Sequence, residues 1–309
     1  MDPSALVLCL GRVRRVRYSR RWCFVMKSGV DIVTFGGGQP RWERAAHRVG
    51  REAMASGLFN EVRVDTQRTF RRDHESFASR HRKILSPGVR GFGYWIWKPL
   101  IIRTALAQSN SGVLYVDAGT TLNLQRTGSR ARLAEYVDMA HDCGGIADRI
   151  SEYKACFWTK ADTAQRLTMS RETLEAGQLA AGFLLLKKTP ENLDLLDQWL
   201  KIAVEDDYHF IDDSPSAVPE IPGFREHRHD QSILHGLWHQ AGLGHVVDEC
   251  YFSPDWSIDG RDYPVWATRH GWGAPLFTRF SHNPRLSVEL RITRLRLDRL
   301  VNSISGGRR

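Results

Sequence analysis

The segment GVLYVDAG at residues 112–119 constrains the fold more than any other stretch. Val113, Leu114, Tyr115 and Val116 form an unbroken apolar run, too short for an ordinary helix and without polar alternation. Such a run suits a central strand covered on both faces. It stops at Asp117. A carboxylate there is costly to bury unless it is paired, metal-bound or open to a cleft. The carboxyl end of a strand is also where open α/β sheets bind ligands.

The flanking sequence extends the same pattern. VDIVTF at 30–35 reads as a strand and runs into Gly36, Gly37 and Gly38; Pro40 then opens a helix that stops near Gly57. Residues 59–64 read as a second strand, and this β-α-β order predicts a parallel sheet with crossover helices. A charged helical stretch is expected over 66–85, followed by the aromatic segment RGFGYWIWKP at 90–99, with Pro99 opening another helix. A helix near 130–141 precedes the segment 144–158. AAGFLLL at 180–186 is a further strand, and a helix over 191–204 carries Leu193, Leu196, Trp199 and Leu200 at helical spacing. An acid- and Pro-rich loop fills 205–226, HDQ at 229–231 opens a helix to about 242, and 245–247 forms a short strand. Residues 250–285 read as aromatic loops. The expected architecture is a Rossmann-type three-layer α/β/α sandwich around a mostly parallel sheet.

A chain of 309 residues accommodates one large domain, expected over 29–285. A basic leader (1–28) and a basic amphipathic segment (286–309) flank it. The net charge of +9 is unevenly placed: residues 1–27 carry +6, residues 286–309 carry +4, and the body is close to neutral at −1. A nucleic-acid enzyme concentrates positive charge on the folded face that grips phosphate, so no nucleic-acid partner is expected. The five cysteines are scattered with no C-x-x-C, which argues against a disulfide framework or a cysteine zinc site. No stretch approaches the ~20 apolar residues that span a bilayer. A cytoplasmic protein is expected.

Several groups are candidates for chemistry. Gly36, Gly37 and Gly38 stand between strand and helix, the context for cradling a phosphate or nucleotide. Lys98 sits just before a helix start, where backbone N–H groups favour an anion, and Tyr94, Trp95 and Trp97 offer faces for a base or sugar. Asp117 and the following Ala118-Gly119-Thr120 frame a site at a strand end. His229, Asp230 and Gln231 form a polar cluster expected at the same sheet edge. His235 and His239 share zinc-ligand spacing but lack the Glu of H-E-x-x-H. No G-x-S-x-G elbow occurs. His270 and His282 lie in the loop-rich end.

With GYWIWKP at 93–99, YVDAG at 115–119, the 180–186 strand and HDQ at 229–231, the chain resembles nucleotide-diphospho-sugar glycosyltransferases of the GT-A fold, in particular small bacterial members. The resemblance implies a domain whose first β-α-β half binds nucleotide near Thr34, Phe35 and Gly36, with Gly182 by the sugar and Asp230 near the reacting centre. It implies transfer of a hexosyl or related sugar to a glycan or lipid-linked acceptor, as in polysaccharide biosynthesis. Asp117 would be what remains of the D-x-D motif, which holds Mn2+ or Mg2+ on the diphosphate; Gly119 stands in place of its second acid. Either Asp117 holds the metal with help from His282 or water, or Lys98 and helix termini serve instead; Asp117 with Asp230 is the expected catalytic pair. Tyr94, Trp97, Lys98, Gly119, Gly182 and Gln231 complete the expected substrate site. A non-catalytic carbohydrate-binding protein on the same fold is the alternative.

The 286–305 stretch mixes Leu, Ile and Val with four Arg, a composition that suits the surface of an anionic membrane. In vesicle sedimentation with acidic lipids, the full chain is expected to bind more than residues 1–285 alone. Equal binding would discard this peripheral membrane contact.

Overall fold

A computed structural model of the chain describes residues 28–253 and 255–269. The basic leader (apart from Ser28), the 286–309 segment, His270 and His282 lie outside the described residues. Six strands form one sheet: β1 (Asp31–Gly36), β2 (Val62–Thr66), β3 (Gly112–Val116), β5 (Gly145–Lys154), β6 (Gly177–Lys187) and β7 (Gly244–Val247), in the order β2-β1-β3-β6-β5-β7. Short strands β4 (Thr121–Leu122) and β8 (Val265–Trp266) pair separately. Every strand of the main sheet runs one way except β6, which is antiparallel to both β3 and β5. The mostly parallel α/β sandwich read from the sequence is thus the fold.

Strand β3 shows why both faces are covered. Val113 and Tyr115 point into one core with the helices Trp97–Gln108, Pro190–Val204 and His229–Gln240. Leu114 and Val116 point into the other, with Val49 and Ala53 of the helix Pro40–Ser56 and with Leu133, Tyr136 and Ala140 of the helix Thr127–Cys143. A period of two divides one apolar run between two layers, so it needs no polar face. Trp199 and Trp238, both fully buried, fill the first layer.

Two elements depart from expectation. The stretch 66–85 is broken at His74 into the helices Gln67–Asp73 and Glu75–Arg80, because His74 leaves helical geometry (φ −129°). Its ring packs on Phe70, and no Gly or Pro marks the break. The β4–β8 pair escapes sequence reading because two-residue strands have no period. It brings residues 265–269 back beside the end of β3, where Thr268 donates to the Gly119 carbonyl. Among the described residues, no helix is long and apolar enough to cross a membrane.

The helix Pro40–Ser56 starts on Pro40 and ends on Gly57 in the left-handed conformation (φ 69°). It packs on β1 so closely that a Cβ at Gly36 would overlap the Trp42 carbonyl. Gly36→Ala is therefore expected to destabilise the fold by about 1–3 kcal/mol. Urea unfolding checks this, and an unchanged midpoint would mean the helix yields freely.

Candidate active site at the carboxyl edge of the sheet

Beyond the carboxyl ends of β1 and β3 lies a cleft of about 710 Å3. It occupies the position where open α/β sheets take ligands. The centre of its floor is Lys98, which is only 2% exposed. The Lys98 Nζ lies 2.6 Å from Asp230 Oδ2 and 3.3 Å from Asp117 Oδ1, and donates to the Ala181 carbonyl at 3.1 Å. The Asp230 contact is an ion pair between two buried groups. Tyr115 donates its hydroxyl to the same Asp117 Oδ1 at 2.6 Å, and its ring lies 5.4 Å from the ammonium.

Local structure explains how four distant segments converge. Asp117 ends the apolar strand, and its N–H donates to the Gly182 carbonyl on reversed β6. That pairing also presents the Ala181 carbonyl to Lys98. Lys98 stands in the first turn of the helix Trp97–Gln108, and Asp230 in that of His229–Gln240. A Cβ at Gly182 would come within 2.9 Å of Asp117 Oδ2, so only glycine leaves that oxygen room. The Asp117 side chain is 42% exposed and lines the cleft, and the described contacts engage its Oδ1 while Oδ2 lies beside Gly182.

The charges are mutually set. Burial alone would lower the Lys98 pKa, but Asp117 and Asp230 together raise it above the ordinary lysine value, so the ammonium persists. Burial raises the Asp230 carboxyl above the usual carboxylate range, against the pull of Lys98. Burial and the neighbouring Asp117 charge push the Tyr115 phenol well up, so it stays a donor. Beside this group, His229 places Nδ1 2.7 Å from the Ile211 carbonyl, which makes Nδ1 the protonated nitrogen. Burial lowers its pKa.

The walls are aromatic and cationic. The turn Gly91–Tyr94 and Trp95 run through positive φ, including Phe92 (55°), Tyr94 (49°) and Trp95 (63°). Bulky residues rarely hold this conformation, and where they do the backbone is strained. It turns Phe92 and Trp95 toward the cleft, while Tyr94 packs on His229. Trp42, Tyr251 and the guanidinium groups of Arg41, Arg90, Arg228 and Arg269 complete the lining.

Of the residues singled out in the sequence, Phe35, Gly37, Gly38, Trp95, Trp97, Lys98, Asp117, Ala118, Gly119, Thr120, Gly182, His229, Asp230 and Gln231 line this one cleft. Lys98 is placed differently from expectation: it lies beneath the two carboxylates rather than open to an anion. Thr34 is buried within β1, Gly36 faces the helix Pro40–Ser56, and Tyr94 packs on His229; none of the three lines the cleft. His235 commits both ring nitrogens to backbone groups of Leu179 and Thr173, a core role rather than a metal one. Sequence reading missed Trp42, Tyr251 and the four arginines. Arg41 and Trp42 carried a signal, since they open the helix after the glycine run.

Among the described residues, which do not include the expected ligand His282, the donor set does not fit a divalent ion. One oxygen of Asp117 is held by Tyr115 and Lys98, Asp230 faces the same ammonium, and Gly119 offers no ligand. Among the described residues, no three His, Cys, Asp or Glu side chains cluster as a metal site. A cation at the carboxylates would also face the buried ammonium.

Behind the cleft, Asp148 on β5 is fully buried and accepts the Glu249 N–H at 3.0 Å, while its second oxygen has no partner. Burial pushes its carboxyl up to about 7, against the pull of the backbone N–H groups of Glu249, Cys250 and Tyr251. The folded state thus holds this proton more tightly than the unfolded chain, and stability falls as pH rises toward 7. Asp148→Asn removes that fall. Its stability relative to the parent is expected to rise by roughly 2–4 kcal/mol between pH 5 and pH 8 in urea titrations. A difference independent of pH would contradict the raised pKa.

No protein-family model matches the chain, and no curated protein matches it in sequence. Solved structures resemble it loosely. Mouse xyloside xylosyltransferase 1 in its apo form is 14% identical over 80% of this chain and 100% of that one, with a TM-score of 0.41. A glycosyltransferase involved in glycosylation of the major capsid of PBCV-1 is 10% identical over 81% and 97%, with a TM-score of 0.37. The apo-form glycosyltransferase GlyE of Streptococcus pneumoniae TIGR4 is 15% identical over 79% of this chain and 54% of that one, with a TM-score of 0.38.

Proposed function

We propose that the chain is a glycosyltransferase that moves a hexosyl or related sugar from a nucleotide-diphosphate donor to a hydroxyl of a glycan or lipid-linked acceptor. The observation that carries this reading is the Lys98-bridged pair of Asp117 and Asp230 on the floor of a cleft walled by aromatic rings and guanidinium groups. The rings offer faces for a nucleobase and a sugar, and the arginines complement a diphosphate. Asp117, with Oδ2 beside Gly182, is assigned to the sugar end of the donor.

In this scheme the bond from the anomeric carbon to the diphosphate breaks, and its electron pair leaves with the nucleoside diphosphate. The acceptor oxygen forms the new bond. Asp230 takes the proton of the acceptor hydroxyl, and its raised pKa brings it nearer the range of an effective base. The closed Lys98 contacts hold both carboxylates in place through the transfer.

Release of nucleoside diphosphate from UDP- and GDP-sugars tests the reading. Asp117→Asn is expected to cut the rate by roughly 100-fold or more while circular dichroism stays unchanged. An undiminished rate would remove Asp117 from the mechanism. Sugar binding with no nucleotide binding would favour a non-catalytic carbohydrate-binding protein instead.

A further inference from the structure

We propose that Lys98 takes the place of the divalent ion in this site, so that the nucleotide donor binds without metal and its diphosphate is held by Arg41, Arg228 and Arg269. This inference rests on the glycosyltransferase reading and specifies how that site manages charge.

Two carboxylates meeting at the carboxyl edge of a sheet are ordinarily an invitation to a cation. Here the cation belongs to the chain. The Lys98 ammonium is buried, reaches both carboxylates and the Ala181 carbonyl, and stays charged because its partners outweigh the cost of burial. Tyr115 occupies the same Asp117 oxygen from the other side. Position 119 cannot supply a second acid: it has no side chain, and a Cβ there would already lie 3.3 Å from the Arg269 backbone.

The diphosphate charge must then be met elsewhere, and the lining provides for it. Arg228 stacks on Trp158 with its guanidinium carbon 4.4 Å from the ring centre, and Arg269 stands 4.8 Å over Tyr251. Stacking fixes each guanidinium plane and leaves its edge N–H groups for phosphate oxygens. Among the described residues, no carboxylate within ion-pair distance neutralises Arg269, and the one beside Arg228 is a long 3.5 Å contact to Glu226. The buried Nε of Arg41, at the cleft wall, has no hydrogen-bond partner.

The test is thermal shift of the full chain with UDP and with GDP, each in EDTA and in MnCl2. The inference predicts that at least one nucleotide raises Tm by the same amount in both buffers. A shift seen only with Mn2+ overturns it and leaves the glycosyltransferase reading standing. No shift from either nucleotide in either buffer overturns both. Mn2+ electron paramagnetic resonance adds a second readout: the parent chain is expected to bind no Mn2+, and Lys98→Met, checked for folding by circular dichroism, to gain a site at the vacated carboxylates. Mn2+ bound by the parent chain, or none gained by a folded Lys98→Met, contradicts the inference; if the variant does not fold, the parent chain decides.

Discussion

A lysine ammonium sealed between two aspartates holds the functional edge of this protein together. Isolated, the Lys98 and Asp230 charges would be expensive to bury, and with the half-exposed Asp117 they are held by an ion-pair geometry that also engages a backbone carbonyl and a tyrosine hydroxyl. The contacts tie the end of β3, β6 at Ala181, the helix Trp97–Gln108 and the helix His229–Gln240 to a single point. Breaking one partner leaves an uncompensated buried charge, so these four segments keep their relative positions or lose them as a unit.

The reversed strand β6 makes that convergence geometrically simple. It lies between β3 and β5 and runs against both, so its Ala181 and Gly182 carbonyls are available beside Asp117. Gly182 gives the carboxylate space, and the aromatic turn before Lys98 accepts left-handed strain to face the opening. The long loop that leads into His229 is anchored separately. Buried Lys160 reaches Asp212 at 3.2 Å, and His209 joins Asp162 at 2.5 Å, so the Asp230 helix begins from a fixed base.

Much of this was legible in the sequence, and for physical reasons. An acid directly after an apolar run has few ways to be stable, so Asp117 announced the cleft at the end of β3 by itself. Pro40 and Gly57 bounded their helix because each suits one end of it. Lys98 and Asp230 were visible as polar groups at helix starts. Their partnership was not, since 132 positions of chain separate them and only the tertiary fold brings them together. The direction of Lys98, inward rather than toward a ligand, follows from that unseen pairing. Arg228, Arg269 and Tyr251 carried no local signature, because a stacked guanidinium is defined by the ring it meets and not by its neighbours in sequence. The break at His74 was silent for a different reason: it has no Gly or Pro, and the contact of its ring with Phe70, four positions back, is one a continuous helix would also make.

The ammonium between the two carboxylates is the claim on which the site depends, and a double-mutant cycle between Lys98 and Asp230 measures it directly. Urea unfolding of the parent, Lys98→Met, Asp230→Asn and the double variant is the experiment. The account predicts that the double variant is more stable than the sum of the single losses implies, with a coupling of roughly 2–4 kcal/mol, because removing both charges spares either from being buried alone. Additive losses would mean that the two groups do not interact, and the proposed floor of the site would be contradicted.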